Sequence, residues 1–133
     1  MATATHPMRV TGKAAQILIV DDEPNIVTAI EFLMQQCGFV TEKAHNGQEA
    51  IEKLRRFQPD LILLDVMMPL MDGLEVAHEI RKQPELQEAR IVFLTAKSAD
   101  RDRLQAYGAG ADAYLTKPFD NQELVDRVME MLE

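Results

Sequence analysis

Four short stretches of this chain put chemically capable side chains directly after apolar runs. Asp21-Asp22-Glu23 follows Ile17 to Val20, Asp65 follows Leu61 to Leu64, Thr95-Ala96 follows Ile91 to Leu94, and Lys117-Pro118 follows Ala113 to Thr116. If those runs are adjacent strands, carboxylates from two of them converge within a few ångströms, and such a cluster is costly unless a cation or a proton neutralises it. A hard divalent ion is the simplest answer. Mg2+ takes one or two carboxylates, a carbonyl and waters, and it keeps positions open for phosphate oxygens. Asp22 and Asp65 suit direct ligation, and Asp21 suits contact through water. Lys117 adds an ammonium and Thr95 a hydroxyl donor, which together make a receptacle for a tetrahedral phosphoryl group. A carboxylate at its centre can act as the nucleophile and form an aspartyl phosphate. Asp65 is the best placed, at the end of the middle strand.

The elements that must position these residues are legible as alternating hydrophobic periods. Short β-rich runs alternate five times with stretches of helical spacing, the pattern of an α/β domain. The strands are expected at Gln16 to Val20, Phe39 to Lys43, Leu61 to Leu64, Arg90 to Leu94 and Ala113 to Thr116, the first, third and fourth apolar enough to be covered on both faces. Ile26, Val27, Ile30, Leu33, Met34 and Cys37 share one helical face, with Pro24 at its start and Gly38 at its stop. Leu124, Val125, Val128, Met131 and Leu132 repeat those offsets in the last helix. Asn46 with Glu49, Asp72 with Glu75 and Asp120 with Glu123 have capping-box spacing. A fourth helix is expected around Ala99 to Tyr107, on few apolar positions. Right-handed crossovers then lead to a doubly wound, five-stranded parallel sheet, for which order 2-1-3-4-5 is one of the two common solutions; the expected fold is that order, a flavodoxin-like three-layer sandwich whose function sits at the carboxyl ends of its central strands.

Composition narrows the partners. The 133 residues carry 22 acidic and 14 basic side chains, a net charge of −8 that repels phosphate backbones, so no direct nucleic-acid partner is expected. The longest apolar runs fall far short of a membrane span, and nothing before Gln16 resembles a secretory signal, so a cytoplasmic location is expected. Residues 1–14 read as a flexible tail and 15–133 as one domain. Cys37 is the single cysteine, and His6, His45 and His78 lack the spacing of a transition-metal site.

Over about 118 positions the chain resembles the receiver domains of two-component response regulators, particularly the stand-alone, chemotaxis-regulator-like kind. The resemblance is carried in order by Ile17-Leu-Ile-Val-Asp-Asp-Glu23, Asn46-Gly-Gln-Glu-Ala50, Asp65-Val-Met-Met-Pro-Leu-Met-Asp-Gly73, Leu94-Thr-Ala96 and Gly110-Ala-Asp-Ala-Tyr-Leu-Thr-Lys-Pro-Phe119. It implies that Asp65 accepts phosphate from a sensor histidine kinase or a phosphotransfer protein, and that Asp21, Asp22, Asp65 and the Met67 backbone carbonyl organise Mg2+. It also implies that Thr95 and Tyr114 form a switch pair, and that Lys117 contacts the phosphoryl group ahead of a cis bond to Pro118. The molecule would be a switch rather than an enzyme, although it would catalyse its own phosphorylation and dephosphorylation. A downstream protein target is expected on the face of helix 4, strand 5 and helix 5.

Plainer readings exist. Asp21 and Asp22 can cap the first helix, Thr95 can be a strand-end hydrogen bonder, and Tyr114 can be a half-buried sheet residue. Met67, Met68 and Met71 are expected to divide between core and surface. A flavin carrier of the same strand order needs small residues where Asp21, Asp22 and Glu23 stand, and a phosphatase of the haloacid dehalogenase type needs a second Asp two residues after the first. The remaining alternatives are a degenerate receiver that binds partners without phosphorylation and a receiver excised from a longer transcriptional regulator. Ala113 stands where regulators that dimerise through helices 4 and 5 often carry an acidic residue. Finally, Met67 and Lys97 flank the mouth of the site with no side chain to orient an attacking water, so slow loss of phosphate is expected.

Overall fold

The computed structural model describes residues 14–96 and 99–133. The chain runs β1 (Gln16–Val20), α1 (Pro24–Gln36), β2 (Val40–Ala44), α2 (Gly47–Lys53), β3 (Leu61–Asp65), α3 (Gly73–Arg81), a 3-10 turn (Pro84–Leu86), β4 (Arg90–Thr95), α4 (Asp100–Gly108), β5 (Ala113–Thr116) and α5 (Asn121–Leu132). All neighbouring strands are parallel, in the order β2-β1-β3-β4-β5. This is the expected doubly wound sheet, in the expected strand order.

Strand alternation divides the core into two layers. Leu18, Val20, Ile62, Leu64, Ile91 and Phe93 face α2, α3 and α4, whereas Ile17, Ile19, Leu61, Leu63, Val92 and Leu94 face α1 and α5. Every residue of β3 is buried, and each such aliphatic side chain contributes roughly 1.5–3 kcal/mol over leaving it in water. The central strand is therefore held from both faces, and Asp65 is carried at its tip.

Four strand boundaries differ from the sequence expectation, among them the end of β2, which is Ala44 rather than Lys43. β2 begins at Val40 rather than Phe39, because α1 ends in a Schellman turn: Gly38 adopts φ 91°, its N–H donates to Gln35 O at 3.0 Å, and Phe39 N–H donates to Met34 O at 3.2 Å. Phe39 turns into the α1 layer of the core instead. β3 and β4 each run one residue further than expected, so Asp65 and Thr95 are the last residues of their strands. Ala14, assigned to the tail, makes an isolated bridge; the rest of the tail, 1–13, lies outside the described residues, as does Lys97.

Helix ends follow the capping pattern. Asp72 and Asp120 form complete capping boxes with Glu75 and Glu123. Asn46 accepts from Glu49 N at 2.8 Å, but the Glu49 carboxylate accepts from His45 N, one residue before the cap. α4 starts without a side-chain cap and leaves Leu104 and Tyr107 exposed. No described helix is long and apolar enough to cross a membrane.

Candidate functional site

Among the described residues, the buried polar or charged side chains are Asp21, Asp65 and Thr95, at 1%, 4% and 0% exposure. They stand at the carboxyl ends of three adjacent strands. Burying such groups is expensive unless each is given partners, so their concentration at the carboxyl ends of the central strands marks a site rather than a packing accident.

Asp21 continues β1 by donating its N–H to Ala44 O at 3.2 Å. Its Oδ1 accepts from Glu23 N at 3.0 Å, and its Oδ2 accepts from Lys117 Nζ at 2.8 Å. Glu23 is the N-cap of α1 and makes no side-chain cap bond, so neither Asp21 nor Asp22 has the capping role considered for it. Asp65 Oδ1 accepts from Met67 N at 3.2 Å, and Oδ2 lies 3.8 Å from Lys117 Nζ. Lys117 is placed by its own backbone, whose N–H donates to Thr95 O at 2.7 Å, and its bond to Pro118 is cis. Oxygens of Asp21, Asp22 and Asp65 all lie within 4.8 Å of one another.

The electrostatics follow from this crowding. Burial, then the Asp21 charge, pushes the Asp65 carboxyl up to about 7; Lys117 and the Met67 N–H oppose the shift, and Asp22 adds to it. Burial alone would make Lys117 less basic, but the Asp21 hydrogen bond and the Asp65, Asp21 and Glu23 charges outweigh it and raise its pKa. The ammonium is fixed as a cation. One ammonium against three clustered carboxylates leaves the site short of positive charge, and these oxygens are the donors a hard divalent ion takes. The residues present fit Mg2+.

Tyr114 departs from its expected half-buried position: it is 5% exposed, and its phenol is hydrogen-bonded to the Thr95 side chain. The ring of the residue expected to pair with Thr95 is thus already inside in this structure. Burial first, then the Asp102 charge, raises the phenol pKa, and the Arg103 guanidinium lies 5.3 Å from the ring centroid. The methionines divide: Met68 is in the core, Met71 packs against it, and Met67 is 55% exposed. Sequence reading missed Gly73, whose missing side chain lets α3 approach Asp65; a glycine opening a helix, where alanine propensity is better, was the available signal.

Comparison with known proteins agrees with this geometry. Residues 17–129 match the response regulator receiver domain family. The transcriptional regulatory protein TrcR of Mycobacterium tuberculosis is 39% identical over 124 residues, covering 93% of this chain and 48% of TrcR, so the chain spans about half the length of that relative. The chemotaxis protein CheY4 of Vibrio cholerae superposes with a TM-score of 0.85 at 30% identity, over 88% of this chain and 98% of that one. The receiver domain of the sensor histidine kinase PA1611 of Pseudomonas aeruginosa, solved with a magnesium ion in its active site cleft, superposes with a TM-score of 0.81 at 32% identity, over 89% of this chain and 97% of that one. The chain belongs to the response regulator receiver domain family of two-component systems.

Proposed function

We propose that this receiver accepts a phosphoryl group on Asp65 from a phosphohistidine of a sensor kinase or phosphotransfer protein, and that the resulting aspartyl phosphate changes its protein-binding surface. The observation that carries this reading is the placement of Asp65: a carboxylate 4% exposed at the tip of the central strand, beside Asp21 and Asp22, with Lys117 Nζ 3.8 Å away.

In the transfer, an Asp65 oxygen attacks phosphorus in line with the departing imidazole nitrogen; the P–N bond breaks, the O–P bond forms, and the donor histidine leaves. Asp65 must be ionised to attack, and Lys117 favours that state. Asp21 keeps the ammonium from collapsing onto the nucleophile, since its contact at 2.8 Å is the shorter. Mg2+ held by Asp21, Asp22, Asp65 and the Met67 carbonyl would supply neutralisation of the phosphoryl oxygens. Thr95 offers its hydroxyl to one of those oxygens, which draws it away from Tyr114. The exposed Leu104 and Tyr107 of α4, at 73% and 47%, support an output face of α4, β5 and α5. Residues 15–133 are the unit that does this.

Intact-mass analysis after treatment with phosphoramidate and Mg2+ tests the reading. A single phosphoryl adduct that disappears in Asp65→Asn is expected; undiminished labelling of that variant would remove Asp65 from its role.

A further inference from the structure

Phosphotransfer to Asp65 leaves a second hollow without a role. Between the β3–α3 loop and α4 lies a cavity of about 580 Å³. Met68 and Leu74 contribute apolar wall, and the buried Tyr114 also lines it. Among the described residues that line it, the charged ones are Asp72 and Asp102, one from the β3–α3 loop and one from α4.

This combination selects an occupant. An apolar wall ending between two carboxylates suits a side chain that is aliphatic or flat along its stem and cationic at its end. The negative field of Asp102 reaches into the hollow, because it contributes to raising the Tyr114 phenol pKa. Arg103 shows that the Tyr114 ring accepts a guanidinium, at 5.3 Å from its centroid. The chain's net charge of −8 favours encounter with a basic partner.

We propose that the cleft between the β3–α3 loop and α4 is a docking site for an arginine or lysine side chain of a partner protein, with the stem against Met68 and Leu74 and the cation between Asp72 and Asp102. The site adjoins the switch. Tyr114 lines the cleft and is hydrogen-bonded to Thr95 at the tip of β4, so a displacement of Thr95 changes the inner wall. A ligand that contacts Tyr114 differently in the two arrangements shifts their balance, and phosphorylation shifts the ligand's affinity reciprocally. The coupling rests on the phosphorylation of Asp65 proposed above; the docking site does not.

Backbone amide NMR on the full chain tests both parts, with benzamidine as a flat cationic probe and benzamide as its neutral counterpart. Benzamidine is expected to shift the Met68, Asp102 and Tyr114 amides saturably. Benzamide should bind about fivefold more weakly, as should benzamidine to Asp102→Asn, which is the effect of a partly screened ion pair. Asp102→Asn should melt like the parent protein. Equal binding of the two probes, or undiminished benzamidine binding by the variant, overturns the docking site. The titration is then repeated with Mg2+ and beryllofluoride, a phosphoryl mimic. A changed benzamidine affinity supports the coupling, and an unchanged one overturns it. Failure of beryllofluoride to shift the Asp65 amide would instead count against the phosphorylation reading.

Discussion

A Cβ placed on Gly73 would stand 2.3 Å from the Asp65 carbonyl oxygen and 2.9 Å from Val66 Cα. The first turn of α3 thus rests on the backbone that carries the proposed nucleophile, and Gly73 N–H, donating to Val66 O at 2.9 Å, closes the loop between them. Because the opposing atoms are main chain, they cannot swing aside as a side chain would.

Gly73→Ala is accordingly expected to push the end of β3 by about 1 Å, and a misplacement of that size costs up to about a hundredfold in rate. Overpacking should also lower stability by about 1–3 kcal/mol. Asp72→Ala, which removes the neighbouring cap and costs about 1 kcal/mol, provides the control for destabilisation alone. Rates of phosphorylation by phosphoramidate, measured well below both melting points, should fall steeply in the first variant and stay close to the parent in the second. Similar rates for both would show that the close approach does not position Asp65.

Leu70, in the same loop, has φ 72° and is 92% exposed. The left-handed conformation costs a bulky residue about 1–2 kcal/mol, and burial at this position returns nothing. Glycine removes that strain but adds unfolded-state entropy worth about 0.5–1 kcal/mol. Leu70→Gly is therefore expected to stabilise the protein by about 0.5 kcal/mol, read as a raised midpoint in chemical denaturation. A lowered midpoint would mean that Leu70 makes a contact outweighing its strain.

What was legible in the sequence divides along the range of the interactions. The ends of β1 and β5 and the quartet Asp21, Asp65, Thr95 and Lys117 were visible because each polar residue terminates an apolar run. The start of β2 was obscured because Phe39 is apolar and β-favouring, yet the turn after α1 spends it on the core. Long-range partnerships were invisible. Arg81, at the end of α3, reads as a solvated helix-end cation, but its guanidinium donates to Gly110 O at 3.1 and 3.0 Å, to Ala89 O at 2.8 Å and to Asp112 Oδ2 at 2.8 Å, pinning α4 and β4 at the far edge of the sheet. Asp112, 31 residues away, gives no local sign of this. The burial of Tyr114 was hidden for the same reason, since it depends on how α4 lies over β5.

The raised pKa of Asp65 predicts an unusual pH dependence. Its folded value is about 7 against an ordinary 3.8, so the folded state holds the proton more tightly than the unfolded one. The stabilisation is complete below about pH 4 and is lost as pH rises through about 7, with a total on the order of a few kcal/mol. In chelator, the contribution of this group should therefore make the protein melt lower at pH 8 than at pH 5.5, and Asp65→Asn should flatten the difference. Cation binding competes with that proton. Mg2+ affinity is expected to fall about tenfold from pH 8 to pH 6, following the ionised fraction of Asp65. With a dissociation constant near 1 mM, about 10 mM Mg2+ would add roughly 1.4 kcal/mol at the higher pH. Melting curves that are indifferent to Mg2+ at pH 8 would exclude the cation from this site.

The lifetime of the phosphorylated state should depend on Met67. Hydrolysis needs a water in line with the O–P bond of the Asp65 phosphate, opposite the leaving carboxylate oxygen. The Met67 amide is tied to Asp65 Oδ1 at 3.2 Å, which anchors its 55% exposed side chain at the mouth of the site. A thioether is a weak acceptor and gives the water no firm orientation, whereas an amide side chain there would both accept and donate. If that orientation is worth about 1.4 kcal/mol of barrier, Met67→Asn should lose its phosphate about tenfold faster than the parent protein. Adding Lys97→Glu, which supplies a carboxylate where Lys97 has donors only, should bring the acceleration to on the order of a hundredfold. The measurement is decay of the intact-mass adduct after removal of the donor. The single variant should keep the parent's beryllofluoride affinity, which separates water access from damage to the site. Decay at the parent's rate in both variants would place the control of hydrolysis elsewhere in the cleft.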